Sequence, residues 1–157
     1  PMELHRWPST LFVAQFIGSP PMALLPVVVG PGATLLLGER RLAVEGPVAE
    51  LLLHHEGEQL TAGLRPESWR VAPATNRNLV AEVCHREVLG NEQVVTCRRQ
   101  DGDHLVQIRA NPDLDVATGQ TLHLDPDPSG WRVFNAEGDA LTLSIENSGG
   151  PKLPAIN

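Results

Sequence analysis

Histidines, closely spaced aspartates and two thiols are the side chains of this chain that could do chemistry, and their spacing decides which chemistry is open to them. His54, His55 and Glu56 are consecutive. Neighbouring residues point to opposite faces of a strand and diverge by about 100° on a helix, so this pair of imidazoles does not chelate by itself. His85, His104 and His123 are evenly spaced, but no C-x₂₋₄-C or H-x₃₋₅-H run accompanies them, and no metal is expected. Asp101 and Asp103, Asp113 and Asp115, and Asp125 and Asp127 form i, i+2 pairs, a spacing that suggests calcium. An EF-hand loop also needs glycine at its sixth position and glutamate at its twelfth, and these frames lack them; the carboxylates are expected to cap turns. Nucleophile and phosphate-binding signatures are missing too, among them G-x-S-x-G, G-x-x-x-x-G-K-[ST] and a G-x-G-x-x-G after a strand. No catalytic residue, ATP-binding residue, metal ligand or cofactor is assigned to this chain, and it is not expected to be an enzyme by itself.

The thiols are Cys84 and Cys97. "NLVAEVCHREVL" and "EQVVTCRR" look like two strands joined by Gly90-Asn91, and glycine at the first central position suits a type II′ hairpin turn. That register pairs Leu89 with Glu92 and sets Cys84 directly opposite Cys97. Two cysteines without secretory context read as reduced thiols of a cytoplasmic protein, with a disulfide between them as the alternative.

These residues have to be positioned by short strands. "LLPVVV", "ATLLLG", "RRLAVEG", "LTAGLRPE", "WRVAP", "NLVAEV", "QVVTCRR", "HLVQIRA", "TLHLDP", "WRVFN" and "LTLSI" are strand candidates separated by Gly, Pro, Asn and Asp. Leu141, Leu143 and Ile145 alternate with Thr142 and Ser144. The pattern predicts an all-β barrel or sandwich. Two helices interrupt it. One runs from Pro8 to Ile17, with proline at its first position and Gly18 closing it; the other begins at Pro47 and ends before Gly57. The first has apolar residues almost all the way round, so it needs cover on most sides. The Gly/Pro-rich end, "ENSGGPKLPAIN", is expected to be mobile.

A chain of 157 residues suits one domain. Its net charge of −7 and single lysine, Lys152, argue against nucleic acid and anionic lipid as partners. The doublets Arg40-Arg41 and Arg98-Arg99 read as solvated strand edges. No run approaches the ~18 apolar residues of a membrane span, and no secretory leader is expected. The first residue is Pro1, which suggests a piece of a longer protein.

The front of the chain, "PMELHRWPSTLFVAQFIGSPPMALLP", resembles the junction of MalK/UgpC-type ATP-binding proteins, which import maltose-like sugars and glycerol-3-phosphate. "LTAGLRPE" is similar to that family's L-G-I-R-P-E segment, "EVLGNE" to its E-x-L-G-x-E turn and "WRVFNAEG" to its closing L-F-D-x-x-G, in the right order over about residues 1 to 138. Phe12, Ile17, Gly18, Ser19 and Pro20 match the junction. Arg65, Pro66 and Glu67 match the R-P-E element, Glu87 and Gly90 the turn, and Phe134 the closing motif. Pro66 restricts the chain before it, so Arg65 and Glu67 project in fixed directions and can make charge-assisted pairs. His5, Ala23 and Asn135 depart from the family's tyrosine, asparagine and aspartate.

The resemblance implies an OB-fold-like TOBE regulatory domain over residues 21–138. Residues 1–20 would be a junction helix from the tail of a nucleotide-binding domain, and 139–157 a last strand and tail. It implies a non-catalytic role at the cytoplasmic face of the inner membrane. The implied partners are the chain's own nucleotide-binding domain, a homodimer twin, permease subunits and a regulatory protein; ATP and magnesium belong to the upstream domain. The transported solute is not implied. The competing expectation is a module for small oxyanions such as molybdate: "TNRNLVAEV" faintly resembles the opening of such barrels, with Thr75, Asn76 and Arg77 as candidate ligands.

Overall fold

The computed structural model describes residues 21–102 and 104–142. The helix expected over 8–17, with Phe12, Ile17, Gly18, Ser19 and Pro20, and most of the strand expected over 141–145 lie outside the described residues, as does the rest of the tail.

The expected all-β class holds. Among the described residues, ten strands form two five-stranded antiparallel sheets. β1 (Ala23–Gly30), β2 (Thr34–Leu37), β3 (Arg40–Leu42), β4 (Gln59–Leu64) and β10 (Arg132–Phe134) make the first, in the order β10-β4-β1-β2-β3. β5 (Trp69–Val71), β6 (Leu79–Leu89), β7 (Glu92–Arg99), β8 (Leu105–Ala110) and β9 (Thr121–Pro126) make the second, in the order β5-β9-β6-β7-β8. Period-two alternation sends one face of each strand inward. Leu25, Val27 and Val29 of β1 meet Leu35, Leu60 and Ala62 there, and Val83, Val95, Ile108 and Leu124 supply the other sheet's share of one core.

The second helix is shorter than its sequence suggests. α1 (Pro47–Leu52) starts on Gly46 with proline in its first turn and buries Leu51 and Leu52, after which residues 53–57 turn back toward β4. Two consecutive histidines in that turn do not converge; His55 Nδ1 sits 3.0 Å from Glu58 Oε1 instead.

Two expectations are corrected. Leu89 does pair with Glu92, but β6 carries a bulge between Val83 and His85, so Cys97 faces Val83 and Thr96 faces His85. Cys84 is the extra residue and does not stand directly opposite Cys97. The bulge falls where β6 leaves its neighbour: β9 pairs with Leu79 to Glu82, and the next residue, Val83, bonds the 119–120 loop instead (Val83 N–H to Gln120 O, 2.9 Å; Gly119 N–H to Val83 O, 2.8 Å). Both thiols are free, Cys84 half-buried and Cys97 buried. The second correction concerns Arg99, which is no solvated edge: it is 3% exposed, whereas Arg98 is exposed.

Candidate interaction surface

The chain passes between the sheets twice, and the two crossings lie side by side. The first follows β4: Arg65 in extended backbone, then the 3-10 turn Pro66–Ser68, then β5. The second, residues 127–131, joins β9 to β10. Asp127 N–H donates to Ser68 O at 2.8 Å, tying one to the other. Asp127 then organises its own turn, accepting from Ser129 N–H at 3.0 Å and Ser129 Oγ at 2.9 Å. This is the turn-capping role expected of the aspartates. Gly130 lets the crossings touch, since a Cβ there would lie 3.1 Å from Leu64 Cδ1 and 3.3 Å from Ser68 Oγ. Trp69 and Trp131 close the inner side, edge to face with centroids 6.0 Å apart and planes at 87°, and Trp131 Nε1–H donates to Ala43 O at 3.0 Å.

The R-P-E residues therefore sit at a structural joint. Pro66 is buried, Arg65 half-buried and Glu67 exposed. Burial, and then the nearby Arg65 guanidinium, lower the pKa of Arg132. Glu67, Ser68, Arg70, Asp127 and Pro128 line a polar recess of about 260 Å³ on the outer side. Phe134 is wholly buried at the end of β10. Its motif continues into a turn in which Asn135 Oδ1 accepts from the N–H groups of Glu137 (3.0 Å) and Asp139 (2.9 Å), so asparagine performs here what an aspartate could.

Glu87 and Gly90 are elsewhere, on the β6–β7 hairpin, whose tip exposes Val88 and Leu89. Gly90 has a φ of 63°, and no positive φ is recorded at Asn91, the pattern of a II′ turn. Gly90→Ala should destabilise by about 1–2 kcal/mol, because a Cβ disfavours that backbone. Gly102→Ala, at ordinary φ with its nearest contact at 3.5 Å, should be near neutral. Urea midpoints of the two variants test the difference.

Two of the N–H groups among the oxyanion candidates are engaged within their own loop. Thr75 N–H points to Asn78 Oδ1 at 3.4 Å, and Arg77 N–H donates to Thr75 Oγ1 at 3.0 Å. Thr75 O accepts from Arg40 and Asn76 O from Arg41 N–H, which ties this loop to β3. Asn78, wholly buried, holds the loop through Pro73 O (2.8 Å) and meets His123 Nδ1 at 3.3 Å. An anion nest needs such N–H groups aimed outward, and here two of them serve the loop itself. Ten millimolar molybdate should accordingly leave the melting temperature unchanged; a dose-dependent rise would reverse this reading. Among the described residues, no group of three or more His, Cys, Asp or Glu is placed to hold a metal. No helix among them is long and apolar enough to cross a membrane.

Sequence reasoning missed the buried polar residues Asn78, Gln93 and Arg99. Gln93 Nε2 donates to Asn111 O (2.9 Å) and Leu114 O (2.8 Å), which fastens the loop after β8.

Two family models match the chain: a MalK OB-fold domain over residues 18–68 and a TOBE domain over residues 62–134. The chain belongs to the MalK-type OB/TOBE family. The OB-fold and TOBE segments overlap at 62–68, so Arg65, Pro66 and Glu67 stand where they meet, at the first crossing. The relatives agree. The chain is 35% identical over 131 residues to the sn-glycerol-3-phosphate import ATP-binding protein UgpC of Bordetella pertussis, covering 81% of this chain and 34% of that protein. It is 29% identical over 167 residues to the maltose/maltodextrin import ATP-binding protein MalK of Vibrio cholerae, covering 99% of this chain and 42% of that one. The chain thus spans about a third of the length of the UgpC relative it matches. Among solved structures, the cytoplasmic molybdate-binding protein ModG, with molybdate bound, superposes with a TM-score of 0.57 at 16% identity, covering 71% of this chain and 94% of that one. That likeness is one of fold.

Proposed function

We propose that this domain is the non-catalytic regulatory and dimerisation end of the ATP-binding subunit of an importer for sugars or glycerol-3-phosphate-like solutes. The observation that carries the reading is the continuous run of MalK OB-fold and TOBE matches over residues 18–134, within relatives that are import ATP-binding proteins. On this reading the chain's own nucleotide-binding domain, which binds ATP and magnesium, lies upstream. A twin copy and permease subunits complete the complex at the cytoplasmic face of the membrane, where a regulatory protein is a further partner. The architecture suits such a task. A joint between two sheets, held by Pro66, the Ser68–Asp127 bond and two tryptophans packed edge to face, transmits a displacement as a rigid body.

Sequencing the gene upstream of the codon for Pro1 tests this directly. The expected result is a reading frame that runs back through a phosphate loop, G-x-x-x-x-G-K-[ST]. A start codon immediately before Pro1 would overturn it.

A further inference from the structure

Asp101 and Gly102 lie in the turn that leaves β7, and both are exposed. They form the one Asp-Gly step of the sequence, which has no Asn-Gly step. An aspartate before glycine is the pair most open to attack by the next backbone nitrogen on the side-chain carboxyl, because glycine puts no Cβ in the path. The fold does not otherwise require glycine there. Gly102 has no positive φ, and an added Cβ would meet nothing nearer than His104 Cδ2 at 3.5 Å.

Arg99 holds both reacting groups. Its Nε and Nη2 take the two carboxylate oxygens of Asp101 at 3.0 Å each, and its carbonyl oxygen accepts from Gly102 N–H at 3.4 Å. The guanidinium is 3% exposed and is anchored across the sheets, its Nη1 donating to Leu24 O of β1 at 3.2 Å. The clamp therefore belongs to the core, although the two residues it restrains are on the surface.

We propose that Asp101-Gly102 is a site of spontaneous isoaspartate formation, gated by the Arg99 clamp. When the clamp opens, the Gly102 nitrogen attacks Asp101 Cγ. A bond forms between them and closes a succinimide ring; the protonated carboxyl loses OH, which leaves as water with the amide hydrogen. Water then cleaves the bond between that nitrogen and the main-chain carbonyl of Asp101, giving OH to the carbon and hydrogen to the nitrogen. The product has the mass of the starting chain, and the reaction needs no partner but water. Its backbone runs through Cβ and is one carbon longer, while its carboxylate sits directly on Cα. That shorter arm no longer spans both Arg99 donors, which strands a buried cation and weakens the tie between the sheets.

The test keeps the whole 157-residue chain at 37 °C and neutral pH for several weeks, labels isoaspartate with a protein isoaspartyl methyltransferase and maps the label by peptide mass. The folded chain should acquire label at Asp101 at least about tenfold more slowly than the same chain in urea, because the reaction waits on local opening. Arg99→Met should raise the folded rate toward the urea rate, and Gly102→Ala should suppress the label in both conditions. Gly90→Ala, about as destabilising as Arg99→Met but with the clamp in place, should react like the unaltered chain. Equal rates in buffer and in urea would overturn the proposal, as would an Arg99→Met chain no faster than the unaltered one. A Gly90→Ala chain as fast as Arg99→Met would also overturn it, by assigning the reaction to unfolding of the domain rather than to the clamp.

Discussion

Asp101→Ala is expected to destabilise the domain by about 3 kcal/mol, a fall of roughly 6–12 °C in melting temperature for a chain of this size. Arg99 ends β7 with its guanidinium in the interior. Its Nε and Nη2 donate to the two carboxylate oxygens of Asp101, each at 3.0 Å, and its Nη1 donates to Leu24 O at 3.2 Å. Leu24 lies on β1, so one side chain binds the second sheet to the first. Removing Asp101 strands a cation that is only 3% exposed, a larger penalty than losing the pair altogether. Asp101 is itself 40% exposed, which keeps the expected loss at the low end for a buried pair. Arg99→Met removes the charge and keeps much of the volume, and should cost only about 1–2 kcal/mol. The decisive measurement is the double variant. Arg99→Met with Asp101→Ala should be more stable than Asp101→Ala alone, because no buried charge remains to be stranded. If Asp101→Ala unfolds at the same urea concentration as the unaltered chain, the guanidinium is reaching water and the cross-sheet tie is absent.

Much of this was legible in the sequence, and its limits have physical causes. Each of β1 to β10 has its strand candidate, because alternation and turn residues are local signals, but "RRLAVEG" overruns β3 by four residues and "LTAGLRPE" overruns β4 by three. The family motifs placed Arg65, Pro66, Glu67 and Phe134, but nothing local told that Pro66 sits beside the second crossing; that adjacency comes from strand order. Parity along β7 does point to two of the buried polar residues. Val95 and Cys97 face inward, so Gln93 and Arg99, two residues to either side, must face inward too. Composition argues against this, since arginine is rarely buried unless paired, and its partner Asp101 has the i, i+2 spacing of a turn carboxylate. The Cys84 register failed for another reason. A bulge adds one residue without any glycine to announce it, and this one is dictated by where β9 ends rather than by the hairpin.

Stability should also fall steeply in alkali, and one thiol should be responsible. Burial first, and Cys84 second, raise the pKa of Cys97 from 9.0 to about 12. In the unfolded chain the thiol ionises near its ordinary value, whereas in the folded chain it keeps its proton. The unfolded state therefore binds fewer protons above pH 9, and stability falls as pH rises. The contribution is complete below pH 9 and is lost between pH 9 and 12, at up to about 1.4 kcal/mol per pH unit. Composition makes this slope readable: the chain has no tyrosine, and its one lysine is Lys152, so few other groups titrate in that window. Urea midpoints at pH 8, 9, 10 and 11 under reducing conditions should decline progressively above pH 9. Cys97→Val, close in volume, should flatten that decline at a cost of less than about 1.5 kcal/mol at pH 7. Cys84→Ser should keep most of it, because burial is the larger of the two causes. A midpoint that stays level from pH 9 to 11 in the unaltered chain would mean that Cys97 ionises in place, and so that water reaches the inner face of β7. The same burial sets the order of thiol reactivity. Half-buried Cys84 should be alkylated in the native domain, and Cys97 only as fast as the core opens.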